Sequence, residues 1–253
     1  MNIFDLTGKT ALITGASSGL GERFARCLSK AGARVILAAR RMDKLEALTK
    51  ELGNAVALEM DVSDKLAVYK AFEKIEKIDI CINNAGIAST GIPKFTTIFD
   101  ADSDEQFEAI MQTNVMGVWY VTRAAANHMK QHKIQGSIIN IASIAGASYS
   151  RIGIEGYCIS KAAVIKLTTT LVGALAEHQI RINAILPGMF LTQMTERMVK
   201  TPQGQSDIAR IPLGFVADPS DLDGAILYLA SNKASRYVTG SCITVDGGRS
   251  WGG

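Results

Sequence analysis

The sequence predicts a single α/β domain of the doubly wound Rossmann type, with about seven parallel strands in one sheet and helices on both faces. Short runs rich in Val and Ile alternate with longer amphipathic stretches along the whole chain. The short runs are almost continuously apolar, as strands are when both faces of a parallel sheet are covered. The 253 residues contain no linker, repeat or compositional break. We therefore assign residues 1–253 to one domain.

Each element of this fold has its own signal in the sequence. The strand candidates are bounded by Gly, Asp or Asn and lie at residues 10–14, 35–39, 56–60, 80–83, 137–141, 181–186 and 242–245. Apolar residues at helical spacing predict helices over residues 20–30, 43–52, 105–129, 157–177 and 219–231. Regular alternation of strands and helices is typical of βαβ units, whose strands are parallel.

Composition and charge exclude several classes of function. The net charge of +3 is too small to indicate nucleic acid or an anionic membrane as a partner. No run of about 18 apolar residues occurs, so we expect no transmembrane helix. The N-terminus lacks the basic start and apolar run of a secretory signal. We therefore expect a cytoplasmic protein that binds neither nucleic acid nor a membrane.

The cysteines and histidines do not indicate a metal site. The four cysteines have no close pair, and we expect small buried hydrophobic side chains in a reducing compartment at Cys27, Cys81, Cys158 and Cys242. His128 and His132 are spaced to share one helix face, as two metal ligands would be, but no third ligand accompanies them. The polar residues around them predict a solvated helix end instead.

A glycine-rich turn follows the first strand, with the sequence Thr-Gly-Ala-Ser-Ser-Gly-Leu-Gly at residues 14–21. Three glycines in the spacing G-x-x-x-G-x-G allow a sharp turn and a close approach of the backbone to a bound group. The helix that follows directs free N–H groups and its positive dipole end at that group, which suits a pyrophosphate. We predict a dinucleotide phosphate site at Gly15, Ser17, Ser18, Gly19, Leu20 and Gly21.

The end of the second strand indicates which dinucleotide binds. Folds of this type that bind NAD place an acidic residue near the ribose hydroxyls at this point. Here the strand is followed by Arg40 and Arg41, whose guanidinium groups would bind the 2′-phosphate of NADP, with Arg40 as the first candidate for this contact and Arg41 as the next. The alternative is an exposed basic turn that pairs with Asp43 or Glu46. We predict NADP as the cofactor, with NAD as the alternative.

Asp61 and Val62 follow the third strand and are further candidates for cofactor contacts. The Asp61 carboxylate would accept a hydrogen bond from the adenine amino group, and the Val62 amide would donate to the ring. Alternatively, Asp61 and Ser63 cap the next helix.

Tyr157 and Lys161 lie four residues apart, so they share one face of the helix predicted over residues 157–177. An unperturbed tyrosine has a pKa of about 10 and is a poor acid or base at neutral pH. A nearby ammonium group favours the phenolate and lowers that pKa. We therefore predict that Tyr157 is a general acid or base and that Lys161 lowers its pKa.

Together with these residues, the chain resembles the short-chain dehydrogenase/reductase family over essentially its whole length. Six elements occur in the order that the family shows. They are the glycine turn at residues 14–21, Asn83-Asn84-Ala85-Gly86, Asn114, Ser143, Pro187-Gly188 followed by Thr192, and residues 245–248.

This resemblance implies an enzyme that interconverts a carbonyl and an alcohol with the catalytic residues Asn114, Ser143, Tyr157 and Lys161. Ser143 would hydrogen-bond the substrate oxygen, and Tyr157 would exchange the proton with it. Lys161 would hold the nicotinamide ribose, and Asn114 would order a water that links Lys161 to solvent.

The resemblance also implies further contacts around the cofactor. The backbone at residues 185–188, with Pro187 and Gly188, and the hydroxyl of Thr192 would hold the nicotinamide amide. Ala85 and Gly86 would line the site together with Asn83, whose role would largely be to tie neighbouring strands.

The substrate is less constrained, because three loops would surround it at residues 87–95, 144–154 and 189–211. The last would form a lid with a flexible tip at residues 201–206. Candidate pocket walls are Tyr149, Ile154, Met189 and Phe190. Two substrate classes remain open. One is a 3-oxoacyl group on a carrier protein. The other is a sugar, polyol or secondary alcohol, and an NAD-dependent sugar or polyol dehydrogenase is the alternative to the NADP enzyme. The family implies a homodimer or homotetramer.

Two other classes of protein are alternatives to this enzyme. A non-catalytic cofactor sensor would be expected to lose the serine, tyrosine or lysine, and all three are present. A methyltransferase with a related sheet would bind S-adenosylmethionine and would not use Tyr157 and Lys161.

Overall fold

The computed structural model describes residues 2–88, 97–148, 153–193 and 195–251. Seven parallel strands form one sheet in the order β3-β2-β1-β4-β5-β6-β7. The strands are β1 Thr10–Thr14, β2 Arg34–Ala39, β3 Ala55–Glu59, β4 Ile80–Asn83, β5 Ser137–Ile141, β6 Arg181–Pro187 and β7 Cys242–Val245. The predicted fold class is confirmed, and the strand boundaries agree with the prediction to within one residue.

Helices cover both faces of this sheet. The α-helices are α1 Gly19–Lys30, α2 Met42–Leu52, α3 Lys65–Phe72, α4 Ser103–Met111, α5 Gly117–Gln131, α6 Glu155–Thr170, α7 Val172–Ala176, α8 Glu196–Val199, α9 Pro202–Ala209, α10 Asp223–Ala230 and α11 Asn232–Ser235. A π-helical segment, Gln112–Met116, joins α4 to α5, and 3₁₀ turns lie at Ile144–Gly146 and Pro219–Leu222. The long helix predicted over residues 105–129 is therefore interrupted, and α3 was not predicted.

Alternate residues of β1 show how the two sides of the sheet are buried. Ile13 packs in a cluster with Phe24 and Leu28 of α1, whereas Leu12 packs in a second cluster with Val121 of α5. Successive side chains of a strand point to opposite faces, so each face has its own apolar layer. This double burial explains why the strands are apolar throughout, without the alternation of a half-exposed sheet.

The chain order of the strands positions the functional site. From β1 the chain runs outward through β2 and β3, and then returns to β4 on the other side of β1. Strand order therefore reverses between β1 and β4, and in open α/β sheets ligands bind beyond the carboxyl ends of the strands at such a point.

The lid segment is more regular than predicted. Thr201 is the N-cap of α9, where its side chain accepts a hydrogen bond from the Gly204 N–H. A side chain at Gly204 would collide with the carbonyl of Met198, so α8 and α9 form a tight helical turn. Pro202 at the first helical position and the Thr201 cap begin this helix, so the tip predicted at residues 201–206 is largely helical.

Three side chains are placed differently from the prediction. Cys242 is exposed and Cys158 is partly exposed, whereas Cys27 and Cys81 are buried as expected. Cys242 lies on the face of β7 that it shares with Thr244, and both residues are exposed there. His128 is only 8% exposed and stacks on His132 with ring centroids 4.4 Å apart, so the helix end is not solvated at this residue.

A membrane span would require a long apolar helix, and the described part of the chain contains none. Within the same ranges, no group of three or more His, Cys, Asp or Glu side chains is arranged to hold a metal ion.

Candidate active site

The carboxyl ends of the central strands surround a cleft of about 700 Å³. Most of the residues predicted to bind cofactor or substrate line it. These are Gly15, Ser17, Ser18, Gly19, Leu20, Arg40, Arg41, Asp61, Val62, Ala85, Gly86, Ser143, Tyr157, Lys161, Pro187, Gly188 and Thr192. Gly21, Asn83 and Asn114 are outside this lining. The cleft also contains residues that the sequence did not single out, among them Ala109, Thr113, Gln193 and Thr195.

The glycine turn forms one end of the cleft and requires residues without side chains. Gly15 and Gly19 have positive φ values of +67° and +59°. A Cβ at Gly15 would lie 2.9 Å from the Cα of Ala85, and one at Gly21 would collide with the Gly15 carbonyl. The two glycines thus allow β1, α1 and the loop after β4 to approach closely.

The N-terminus of α1 fits the pyrophosphate of a dinucleotide. The first N–H groups of a helix have no intrahelical acceptor, and the Ser18 side chain at the N-cap does not accept from them. These donors lie beside a turn in which Gly15 and Gly19 have no side chain to block a ligand, and such an arrangement suits phosphate groups.

Arg41 lies directly against the glycine turn. Its Nη2 donates hydrogen bonds to the Oγ atoms of Ser17 and Ser18, at 2.9 and 2.7 Å. Arg40 instead has its Nη1 3.7 Å from an Asp61 carboxylate oxygen. The arginines therefore do not pair with acidic residues of α2, which was the alternative. Instead, the Arg41 guanidinium group and the hydroxyls of Ser17 and Ser18 meet at the cleft.

Asp61 is held by its own loop. Its Oδ1 accepts hydrogen bonds from the N–H and the hydroxyl of Ser63, at 2.9 and 2.7 Å. The alternative in which Asp61 caps the next helix is wrong, because Asp64 is the N-cap of α3 and accepts from the N–H groups of its first turn. Val62 is buried against Gly117, where α5 begins.

The loops after β1 and β4 are fixed to each other beneath the cleft. The hydroxyl of Thr14 accepts hydrogen bonds from the N–H groups of Asn84 and Ala85, both at 3.0 Å. The Asn84 amide donates back to the Thr14 carbonyl at 2.9 Å. This reciprocal pairing holds the wall between the glycine turn and Gly86.

Asn83 does not reach the cleft. Its amide is buried and donates to Thr122 Oγ1 at 2.9 Å and to Asn140 Oδ1 at 2.8 Å. Asn83 therefore ties β4 to β5 and α5, which is the strand-linking role that the family resemblance implied for it.

Tyr157 and Lys161 lie on α6 and face the opposite end of the cleft from the arginines. The Lys161 Nζ is 5.6 Å from the centre of the Tyr157 ring and donates a 2.8 Å hydrogen bond to the Ile141 carbonyl at the end of β5. Ser143 begins the 3₁₀ turn after β5, where its Oγ accepts from the Ala145 N–H at 3.1 Å.

Burial is the largest cause of the pKa shifts of both Tyr157 and Lys161. It raises the pKa of Tyr157, and a hydrogen bond with Ser143 offsets only part of that effect. Burial also lowers the pKa of Lys161 to about 8. The pKa of Tyr157 therefore shifts in the opposite direction to the predicted lowering, because desolvation disfavours the phenolate. Tyr157 therefore carries its proton at neutral pH.

Asn114 lies behind the cleft wall, in the π-helical segment between α4 and α5. It is completely buried, and its side chain pairs with both backbone groups of Ile87. The Ile87 N–H donates to Asn114 Oδ1 and the Asn114 amide donates to the Ile87 carbonyl, each at 2.8 Å. A Cβ at Gly86 would lie 3.1 Å from Asn114 Oδ1 and 3.5 Å from Lys161 Nζ, so the two side chains flank this glycine.

The segment after β6 forms part of the lining of the cleft. The Gly188 N–H donates to the Val245 carbonyl at 2.9 Å, which fixes this segment to β7. Thr192 donates its N–H to Thr195 Oγ1 at 2.9 Å, and both hydroxyls lie at the cleft. Phe190, predicted as a pocket wall, lines the cleft and is buried, whereas Tyr149 lies outside the described residues.

Comparison with known proteins gives the same assignment. Residues 15–250 match a family model described as enoyl-(acyl carrier protein) reductase. The chain is 37% identical to a 3-oxoacyl-[acyl-carrier-protein] reductase of Rickettsia conorii, over 97% of this chain and 98% of the relative. It is 38% identical to a short-chain type dehydrogenase/reductase of Mycobacterium marinum, with a TM-score of 0.90 over 98% of both chains.

The chain belongs to the short-chain dehydrogenase/reductase family. It is thus an NAD(P)-dependent dehydrogenase or reductase, and the sensor and methyltransferase alternatives are not supported. A gluconate 5-dehydrogenase of Burkholderia cenocepacia, solved in complex with NADP and tartrate, is also similar. It is 32% identical, with a TM-score of 0.90 over 98% of this chain and 97% of that one.

Proposed function

We propose that this enzyme uses NADP to interconvert a carbonyl and a secondary alcohol. The observation that carries the proposal is that one cleft is lined both by residues suited to bind phosphate and by residues suited to donate a proton. Arg41 and the glycine turn form the first group, and Tyr157 and Lys161 form the second. This arrangement fits a dinucleotide whose nicotinamide ring lies beside Tyr157.

When bound, the cofactor supplies or accepts a hydride. The protein's residues hold the substrate and move the proton. In carbonyl reduction, the Ser143 hydroxyl orients the substrate oxygen, and Tyr157, protonated at neutral pH, donates its proton to that oxygen. Lys161 contributes a positive charge that stabilises the phenolate left behind. Pro187, Gly188 and Thr192 would hold the nicotinamide end.

The preference for NADP over NAD rests on the cationic mouth of the cleft. Arg41 is fixed by the hydroxyls of Ser17 and Ser18, and these three side chains together provide donors for a phosphate monoester. Arg40, next to Asp61, adds a second positive charge at the same edge. The two positions directly after β2 are arginines, so neither provides a carboxylate that would bind the ribose hydroxyls of NAD or repel a 2′-phosphate.

We expect Arg41→Ala to raise the Kd for NADPH by about ten- to 100-fold, because charge-assisted hydrogen bonds to the phosphate are lost. The Kd for NADH should change by less than about threefold, since NADH has no 2′-phosphate. Nicotinamide fluorescence titration measures both. Lys44→Ala is the matched control, because it removes one positive charge from an exposed position on α2. Equal weakening of both cofactors would argue against a phosphate contact at Arg41.

Two substrate classes are consistent with the relatives. The Rickettsia relative is named as a reductase of 3-oxoacyl groups on acyl carrier protein, so a 3-oxoacyl thioester is the first substrate to test. The Burkholderia structure is named for gluconate, which supports a sugar acid or polyol as the second candidate. Assays with an acetoacetyl thioester and NADPH, and with gluconate and NADP, distinguish them. Activity with neither would reject both substrate proposals and leave the family assignment intact.

We also propose a cytoplasmic homodimer or homotetramer. Apolar side chains at Phe107, Met116, Trp119 and Ile159 are each more than one-third exposed on α4, the π-helical segment, α5 and α6. Association of these helices with a second copy would cover them. The molecular mass in solution tests the proposal, and a monomer at micromolar concentration would reject it.

A further inference from the structure

Ser160 connects the catalytic helix to the wall of the cleft. It lies on α6 between Tyr157 and Lys161 and has no exposed surface. Its hydroxyl donates to the Tyr157 carbonyl at 2.7 Å and accepts from the Asn114 amide at 3.0 Å. The hydroxyl thus uses both its hydrogen and a lone pair on groups of the active site.

The connection continues through Asn114 to the loop after β4. Both hydrogens of the Asn114 amide are used, one on Ser160 and the other on the Ile87 carbonyl. Ile87 lines the cleft, next to Gly86. A single chain of hydrogen bonds therefore runs from the backbone of Tyr157 through Ser160 and Asn114 to the cleft wall.

A hydroxyl that bonds to a carbonyl one turn earlier in its own helix is common and, by itself, only structural. The contact from Asn114 is different, because it joins α6 to another element. Without it, one N–H of a buried amide would have no partner, and such a group is costly to leave unsatisfied. Asn114 and the backbone of Ile87 would then rearrange relative to Lys161.

We propose that Ser160 is a positioning residue. It would hold Asn114 and the cleft wall at Ile87 in a fixed position relative to Tyr157 and Lys161. It would act through Asn114 and would not touch the substrate or cofactor. The kinetic part of this inference rests on the proposed oxidoreductase function, whereas the link between the two segments can be tested without turnover.

The test is Ser160→Ala, compared with Ser235→Ala. Ser235 is also buried, and its hydroxyl donates to the Ser231 carbonyl at 3.0 Å. Neither of these two residues lines the cleft. We expect Ser160→Ala to lower kcat by about tenfold, because small misplacements of catalytic groups have effects of this size or larger. The Kd for NADPH should stay within about twofold, since the phosphate end is unchanged. Ser160→Thr, which keeps the hydroxyl, should restore most of kcat.

Hydrogen exchange followed by mass spectrometry gives the second readout. Ser160→Ala should speed amide exchange at residues 84–88 and 112–116, and Ser235→Ala should not. If Ser160→Ala does not fold, Ser160→Cys provides the same comparison with a side chain of similar size and weaker hydrogen bonding.

Unchanged kcat and unchanged exchange in the Ser160 variant would overturn the proposal. So would equal losses in kcat and thermal stability for the Ser160 and Ser235 variants, because that result indicates a structural role only. If the unmodified protein reduces no carbonyl substrate, the proposed function is rejected, and faster exchange at residues 84–88 still decides whether Ser160 holds this wall.

Discussion

Tyr157→Phe is expected to lower kcat by about 10³-fold while the protein still binds NADPH. The substitution removes the hydroxyl that donates the proton and keeps the ring that fills the cleft wall. Burial raises the pKa of Tyr157, so the native side chain carries its proton at neutral pH and is ready to donate it. Steady-state kinetics with a carbonyl substrate give kcat, and NADPH fluorescence gives binding.

Tyr237→Phe is the control for this variant. Tyr237 is fully exposed, so removal of its hydroxyl should leave kcat and NADPH binding unchanged. If Tyr157→Phe retained more than about a tenth of the native kcat, Tyr157 would not be the proton donor, since general acid catalysis contributes at least about 10²-fold.

Gly21→Ala is expected to weaken NADPH binding by more than about 100-fold and to lower the melting temperature. The new methyl group would collide with the Gly15 carbonyl and lie 2.5 Å from the Asn84 amide nitrogen. Backbone atoms of the glycine turn would have to move, and we propose that these atoms bind the pyrophosphate. Calorimetric titration with NADPH and thermal unfolding measure the two effects.

Gly224→Ala is the matched control for that substitution. Gly224 lies in α10, and a Cβ there would have no heavy atom of its surroundings within 4 Å. Alanine is favoured over glycine in a helix by up to about 1 kcal/mol, so this variant should be equally or more stable and should bind NADPH normally. Normal NADPH binding by Gly21→Ala would show that the turn does not approach the cofactor as closely as proposed.

The strands could be predicted because burial on both faces leaves a continuous apolar run, which few other elements show at that length. Helix α3 was not predicted because it spans only eight residues, of which Val68 and Ala71 are buried, too few for a periodic pattern. The π-helical segment at Asn114 was not predicted either, and the pairing of Asn114 with Ile87 there is a contact across the fold that the local sequence does not specify.

In the site, as in the fold, features set by local spacing could be predicted, whereas features set by contacts between distant segments could not. Spacing on one helix was sufficient to bring Tyr157 and Lys161 to the same cleft. The direction of the Tyr157 pKa shift was predicted wrongly, because desolvation depends on how completely other elements cover the ring. Likewise, Arg40 was predicted before Arg41 as the phosphate contact, whereas in the structure it is Arg41 that bonds to Ser17 and Ser18 of the glycine turn, a contact that depends on the fold.

Titration of the purified, unmodified enzyme with NADPH and NADH, followed by nicotinamide fluorescence, tests the central claim most directly. We predict a Kd for NADPH at least about tenfold lower than that for NADH, which corresponds to one or two charge-assisted contacts with the 2′-phosphate. Tighter binding of NADH, or no binding of either cofactor, would contradict the assignment of this cleft to NADP.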